Sequence, residues 1–150
     1  MSGLTLDLAL TMTQAAFATA REAGARPLCV VVLDSGGHVL AVHRQETASL
    51  FRPAIATAKA AGALGMGMGS RAIAARAQQS PAFFASLSAV TDGQIALAPG
   101  GVLIRDAAGA IVGAMGISGD TSDVDEGCAV AGIQAAGLVA DAGVAPEARP

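Results

Sequence analysis

Apolar and polar positions along this chain follow two rhythms. In the first, a nearly unbroken apolar run meets an Asp and a small-residue turn ending in Gly, and a second apolar run follows. The chain writes this twice, as LCVVVLDSGGHVLAVHR over 28–44 and GVLIRDAAGAIVGAMGIS over 101–118. Val, Ile and Leu suit a pleated, half-buried surface, and Asp and Gly tolerate tight-turn geometry, so each copy predicts a β-hairpin. The turns fall at Asp34-Ser35-Gly36-Gly37 and at Asp106 to Gly109.

The second rhythm is Ala-rich, with apolar residues three and four apart. It predicts a helix from Thr5 to about Glu22, capped by Thr5 or Asp7. Its apolar stripe is Leu6, Leu10, Thr13, Phe17 and Ala20, and Gly24 and Pro27 end it. A polar loop runs from Arg44 to Phe51. A second helix starts near Pro53, where proline is tolerated, and reaches about Leu64. The glycines of GMGMGSR over 65–71 predict a bend or loop. Two short helices follow over 71–79 and 81–88, separated by Ser80-Pro81, and a loop leads to the second hairpin. Gly116 to Asp125 reads as loop and Ser122 to Ala142 as a final helix, with Asp123, Asp125 and Glu126 near its positive end. The tail VAPEARP reads as frayed. The order helix, hairpin, helices, hairpin, helix predicts one α+β domain over 1–150 with an antiparallel sheet. It argues against a Rossmann unit, whose parallel strands need helical crossovers.

Composition narrows the function classes. Hydrophobic residues make up 53% of the 150 positions and charged ones only 14%, which predicts surface hidden in a homo-oligomer. A net charge of −3, with no Trp or Tyr, offers phosphate backbones no basic field and bases no stacking platform, so nucleic acid is not an expected partner. No uninterrupted apolar stretch approaches the roughly 20 residues of a membrane span. The start, MSGLTLDLAL, lacks a basic lead and carries Asp7, so it does not read as a secretory signal. Cys29 and Cys128 belong to no CxxC motif and read as buried, reduced thiols. A cytoplasmic location is the resulting expectation, with no metal site.

Few charged groups remain as candidate chemistry. Lys59 lies mid-helix beside the stripe formed by Ile55 and Gly62. It either snorkels to water or is a partly buried ammonium that binds a carboxylate or moves a proton. Glu46, between Arg44 and Arg52, is a solvated loop carboxylate or an acid at a pocket edge. Pro99-Gly100-Gly101 makes a tight turn or lets backbone N–H groups converge on an anion. The loop carrying Asp120 leads to a helix N-terminus that suits anions, although Asp120, Asp123, Asp125 and Glu126 crowd it and cap it equally well. His38 and His43 point to opposite faces of one strand and are not placed to share a metal.

At these same residues the chain resembles the GlcG/HbpS family, which includes the C-terminal domain of PduO-type proteins. The likeness covers roughly residues 4–140. It rests on VVVLDSGGHVLAVHR, on Glu46 followed by the Lys59 helix AIATAKAAGAL, on APGGVLIRDAAGAIVGAMGISG, and on DVDEGCAVAG. It implies a profilin-like fold, a five-stranded antiparallel sheet flanked by helices, assembled into a homo-oligomer such as an octamer. It also implies haem as a candidate ligand. In haem-binding relatives a histidine of the first helix holds the iron. Here residues 5–22 carry none, and Met12 is either an alternative ligand or core.

Three readings of function follow. The first is a binding protein, whose pocket between sheet and helices near a subunit interface takes a small organic molecule. Glu46, Lys59, Asp120, Arg52, Pro99, Gly100, Gly101 and Asp125 are its site residues. The second is a cofactor-independent enzyme acting on a small carboxylate or carbonyl metabolite. There Lys59 or an Arg holds the anion, and Glu46 or Asp120 moves a proton. The third is an accessory structural subunit without a ligand.

Overall fold

The β-branched residues concentrate in the two hairpins, and the hairpins form the centre of the fold. In the computed structural model, which describes residues 3–143, β1 (Cys29–Asp34) and β2 (Val39–Arg44) make the first, and β3 (Gly101–Arg105) and β4 (Ile111–Ser118) the second. They join through β1 and β4, paired antiparallel from Cys29 opposite Ser118 to Asp34 opposite Gly113. A short strand β5 (Val139–Asp141) adds to β3, so the order is β2-β1-β4-β3-β5 with every pair antiparallel.

The period of two along each strand sends alternate residues to two helical layers. Val30, Val32, Val102, Ile104, Met115 and Ile117 face one layer, made by α1 (Leu6–Ala23) and α5 (Ser122–Ala135). Cys29, Val31, Leu33, Leu103 and Ala114 face the other, where α2 (Arg52–Met66) lies through Ala56, Ala60 and Ala63. A third apolar cluster, Ile73, Phe84 and Leu87, joins α3 (Ser70–Gln79) to α4 (Pro81–Val90).

The α2 layer approaches the sheet very closely because Gly101 and Gly116 are directly opposite each other across β3 and β4. A Cβ at Gly116 would overlap the carbonyl oxygen of Ala56, and one at Gly101 that of Lys59. The opposite layer uses the same device: a Cβ on Gly132 would lie 2.5 Å from the Met12 carbonyl oxygen.

The profilin-like α+β architecture is present, and so are several expected signals. Thr5 caps α1 by accepting from the Leu8 N–H, and Gly24 closes that helix in the left-handed region. Four expectations are corrected. The buried face of α1 is Ala9, Met12, Thr13, Ala16 and Ala20, with Leu6 half exposed and Leu10 and Phe17 only partly covered. The close contact at Gly132 selects small residues for that face, not the largest ones. Helix α2 continues through Gly65 to Met66 and ends at Gly67, whose φ is 69°, so the bend shrinks to the residues just before α3. Strand β4 takes in Gly116 to Ser118, which read as loop. The last helix stops at Ala135, because Gly137 turns left-handed and releases the chain into β5. The expectation for the tail lies outside the described residues. Among the described residues no helix is long and apolar enough to cross a membrane.

Gly116→Ala is expected to destabilise by about 3 kcal/mol, since overpacking against backbone cannot relax by side-chain rotation. Urea denaturation measures this, and a loss below about 0.5 kcal/mol, the range of neutral surface changes, would show that α2 shifts freely.

Candidate functional site

Lys59 sits in the middle of α2 with its aliphatic stem laid over Gly100 and its backbone carbonyl against Gly101. A Cβ on Gly100, whose φ is 119°, would come within 2.8 Å of the ammonium and 3.0 Å of Lys59 Cδ. The ammonium is 3% exposed, so the snorkelling expectation is corrected: the glycines open a channel inward, and the charge goes there. Nζ donates to the Ile117 carbonyl at 2.9 Å and to Asp125 Oδ2 at 3.2 Å. Asp125, on the first turn of α5, is 1% exposed, and its Oδ1 accepts the Asp120 N–H at 2.9 Å. This ion pair therefore joins helices from opposite faces of the sheet around the end of β4. Burial pulls the Lys59 pKa below its ordinary value, Asp125 opposes that shift, and Arg52 adds slightly to it.

The neighbouring residues are committed to the same junction. Gly101 N–H donates to the Ser70 hydroxyl at 2.7 Å, and Gly100 C=O accepts from Ile117 N–H. Two polar groups of the glycine turn, the Gly101 N–H and the Gly100 C=O, are thus bonded within the chain. Pro99 is half-buried beside it. Arg52 donates from Nη1 to the Ser118 hydroxyl and from Nε to Ser49. Asp120 accepts from the backbone of Arg26 at 2.7 Å and Thr121 at 2.7 Å, and these bonds hold its carboxyl below the usual range. The α5 N-terminus is closed by its own chain: the Thr121 hydroxyl accepts from Val124 N–H. Arg71 pairs with Glu126, at 2.9 Å, and with Asp123, tying α3 to the same turn.

So the structure brings Lys59, Asp125, Gly100, Gly101, Arg52 and Asp120 to one end of the sheet. Glu46 lies apart. It is exposed on the 45–51 loop, where Arg44 Nη1 gathers the carbonyls of Gln45, Glu46 and Ala48. Ser70, Ser118 and Arg71 are parts of the junction that sequence reasoning missed. Their partners lie 31 to 66 positions away, and no local spacing announces a contact of that range.

Open space lies elsewhere. Two adjoining clefts follow the outer flank of α2, sharing Ala61 and Gly65. One, of about 180 Å³, is bounded by Gly62, Met66, Thr91, Gln94 and Ile95. The other, of about 290 Å³, lies between α2 and the β1–β2 turn at Ser35, Gly36 and Gly37, with Leu64 on its wall. Neither of these two clefts is lined by Lys59 or Gly100. Met12 is fully buried in the α1–α5 layer, where it serves as core. Both cysteines are free and buried, and burial pushes the Cys29 thiol up to about 11 and the Cys128 thiol upward. Among the described residues no three His, Cys, Asp or Glu side chains gather as metal ligands.

Comparison with known proteins fits this geometry. A family model described as haem degrading protein HbpS-like matches residues 4–134. A solved double mutant of HbpS from Streptomyces reticuli is 27% identical, with a TM-score of 0.76, covering 89% of this chain and 87% of that one. The Klebsiella pneumoniae protein ORFY is 25% identical, with a TM-score of 0.80 and coverages of 89% and 90%. A structure of a PduOC:heme complex shares the fold at 24% identity, with a TM-score of 0.81 and coverages of 91% and 96%. No curated protein matches the chain.

Lys59→Met leaves the Asp125 carboxylate buried and uncompensated and is expected to cost about 3–5 kcal/mol in urea unfolding. Lys59→Met with Asp125→Leu should recover part of that loss; simple additivity would show that the two groups are uncoupled. The pH dependence has a defined sign. Above its lowered pKa the folded chain has released a proton that the unfolded chain keeps until its own pKa, ordinarily 10.5, so this contribution to stability rises with pH across that window. Wild type should therefore gain on Lys59→Met as the solution is made alkaline, and a flat difference would show the ammonium is not desolvated.

Proposed function

This chain belongs to the HbpS-like family, and from that premise we propose that it binds a small, planar and largely apolar molecule, with haem as the candidate, in the groove flanking α2. The observation that carries the reading is the pair of adjoining clefts. Ala61, Gly62, Leu64, Gly65, Met66 and Ile95 give them an apolar lining, and Thr91, Gln94 and Ser35 stand as polar groups at their ends. Small-molecule sites combine these traits: concavity, apolar walls and a few polar groups that fix orientation. The donor set is compatible with haem. Met12 and both cysteines are buried, but the Met66 thioether lines the smaller cleft, and methionine is a known haem ligand. Bound haem would supply iron chemistry; the chain's residues would supply the ligand, the apolar wall and the exclusion of water from one ring face.

Acid–base catalysis by Lys59, Glu46 and Asp120 draws less support. Lys59 donates to Ile117 and Asp125, Asp120 accepts two backbone N–H groups, and Glu46 is on a separate exposed loop. In this proposal Lys59, Asp125, Gly100, Gly101, Pro99, Arg52 and Asp120 hold together the frame that carries the groove. The proposal includes self-association in the cytoplasm, with an octamer as one form, since Leu50 and Phe51 stand 83% and 69% exposed at the start of α2.

Hemin titrated into the whole chain and followed at the Soret band tests the reading. A saturable change at one hemin per chain is expected. Gly65→Phe fills open space in the groove and should weaken binding at least tenfold. An unsaturable wild-type titration would remove haem and favour the accessory-subunit reading, and an unaffected Gly65→Phe would put the ligand elsewhere.

A further inference from the structure

The polar groups around the two clefts are nearly all spent within the chain. The larger cleft meets the β1–β2 turn at Ser35, Gly36 and Gly37. Successive N–H groups of a turn can hold an anion when they are free. Here Gly36 N–H donates to Asp34 Oδ1 at 2.9 Å and Gly37 N–H to the Asp34 C=O at 3.0 Å, so both belong to the turn itself. The Asp34 carboxylate stands beside Gly36, 3.4 Å from where a Cβ would lie, and opposes a second anion there. At the smaller cleft the Thr91 hydroxyl donates to the Leu87 C=O at 2.7 Å, and Gln94 N–H donates to the Thr91 C=O at 3.1 Å. Ala61, Gly62, Leu64, Gly65 and Met66 make up the α2 wall. Among the described residues no charged side chain lines either cleft.

One lining side chain keeps its hydrogen-bonding capacity. The Gln94 carboxamide has no partner among the described residues and offers both a donor and an acceptor. Its place is fixed by the backbone on either side. Asp92 and Gly93 follow α4 with φ of 55° and 77°, two successive left-handed residues that reverse the chain. Ile95 then lies on α2 at Gly62, where a Cβ would be 3.1 Å from Ile95 Cγ1 and 3.2 Å from Ile95 Cα. Gln94 is therefore held at the edge of the smaller cleft by the residue next to it. Moving a charge from water onto such a lining is far more costly than moving a neutral polar group, which one hydrogen bond can offset. We propose that the part of a ligand seated in this groove is uncharged, an apolar body ending in one neutral polar group such as a carboxamide or hydroxyl, and that Gln94 is the residue that recognises that group. The inference rests on the groove reading above and names the class of ligand the groove admits. Any charge the ligand carries stays in water outside the groove.

Benzamide, benzoate and benzamidinium share one ring and differ in charge, so together they test the proposal. Each is titrated into the whole chain and followed by saturation-transfer NMR on the small molecule, with circular dichroism to check that every variant folds. Benzamide should bind saturably, and the two ions at least about tenfold more weakly, because each must be desolvated against an uncharged lining. Gly65→Phe, which fills the space shared by the clefts, should abolish the benzamide signal. Gln94→Leu keeps the bulk of the side chain and removes its amide, and should weaken benzamide about fivefold, the loss of one hydrogen bond, while leaving the ions as weak as before. Either ion binding as tightly as benzamide, with Gly65→Phe abolishing both, would overturn the inference and leave the groove reading standing. Benzamide binding that Gln94→Leu leaves unchanged would overturn the role of Gln94, and binding that survives Gly65→Phe would place the site elsewhere. Failure of benzamide to bind while hemin saturates would overturn this inference alone. Failure of benzamide and hemin together would overturn the groove reading as well.

Discussion

The buried ion pair between Lys59 and Asp125 is the interaction on which most of the architecture turns. Its partners start from helices on opposite faces of one sheet, α2 and α5, and meet around the end of β4. A charge pair so placed is costly to desolvate and is tolerable only if every remaining donor and acceptor finds a partner. Ile117 C=O and Asp120 N–H supply those partners, and no described buried side-chain nitrogen or oxygen is left without one. The requirement propagates outward. Lys59 reaches the junction only because Gly100 presents no side chain to its stem and Gly101 none to its backbone carbonyl. Helix α2 can lie low enough on the sheet only because Gly116 faces Gly101.

The same economy of side-chain volume explains where the open space falls. Alanine and glycine faces let helix approach sheet and helix approach helix, so the described residues pack closely around Lys59. On the outer flank of α2 the same small residues have no strand or helix opposite them, and Ala61 and Gly65 become the floor of a groove. Tight interior and open flank are two results of one composition. The groove proposed for a ligand therefore lies beside α2 and not within the packed layers. Family membership adds a ligand class to this picture, and the chain's own residues say how far that class can be accommodated.

Much of the fold was legible. Both hairpins announced themselves through β-branched runs broken by Asp and Gly, and Thr5, Gly24 and Pro53 marked helix ends by local backbone chemistry. The face of α1 was not legible: the largest apolar residues suggested a stripe through Leu6 and Phe17, whereas close contact with α5 buried Ala9, Ala16 and Met12. Strand β5 was missed from its own residues because three residues after a glycine carry too short a pattern, and it exists by pairing with β3. At the candidate site Lys59, Asp125 and the two glycines were picked out as unusual residue types, but Ser70, Arg71 and Ser118 look ordinary until the fold brings them together.

The sequence by itself determined the local geometry: where turns form, which residues alternate across a strand, and that a lone lysine in an apolar helix needs an explanation. Those properties depend on a residue and its near neighbours, so a linear pattern records them. The tertiary structure alone decided that Lys59 turns inward to Asp125, that Glu46 stands apart from it, and that Ala61 and Gly65 line open clefts on the flank of α2. Each of these depends on how closely two layers approach across residues distant in the chain. That distance is set by the absence of side chains at a few glycines whose neighbours only the folded chain reveals.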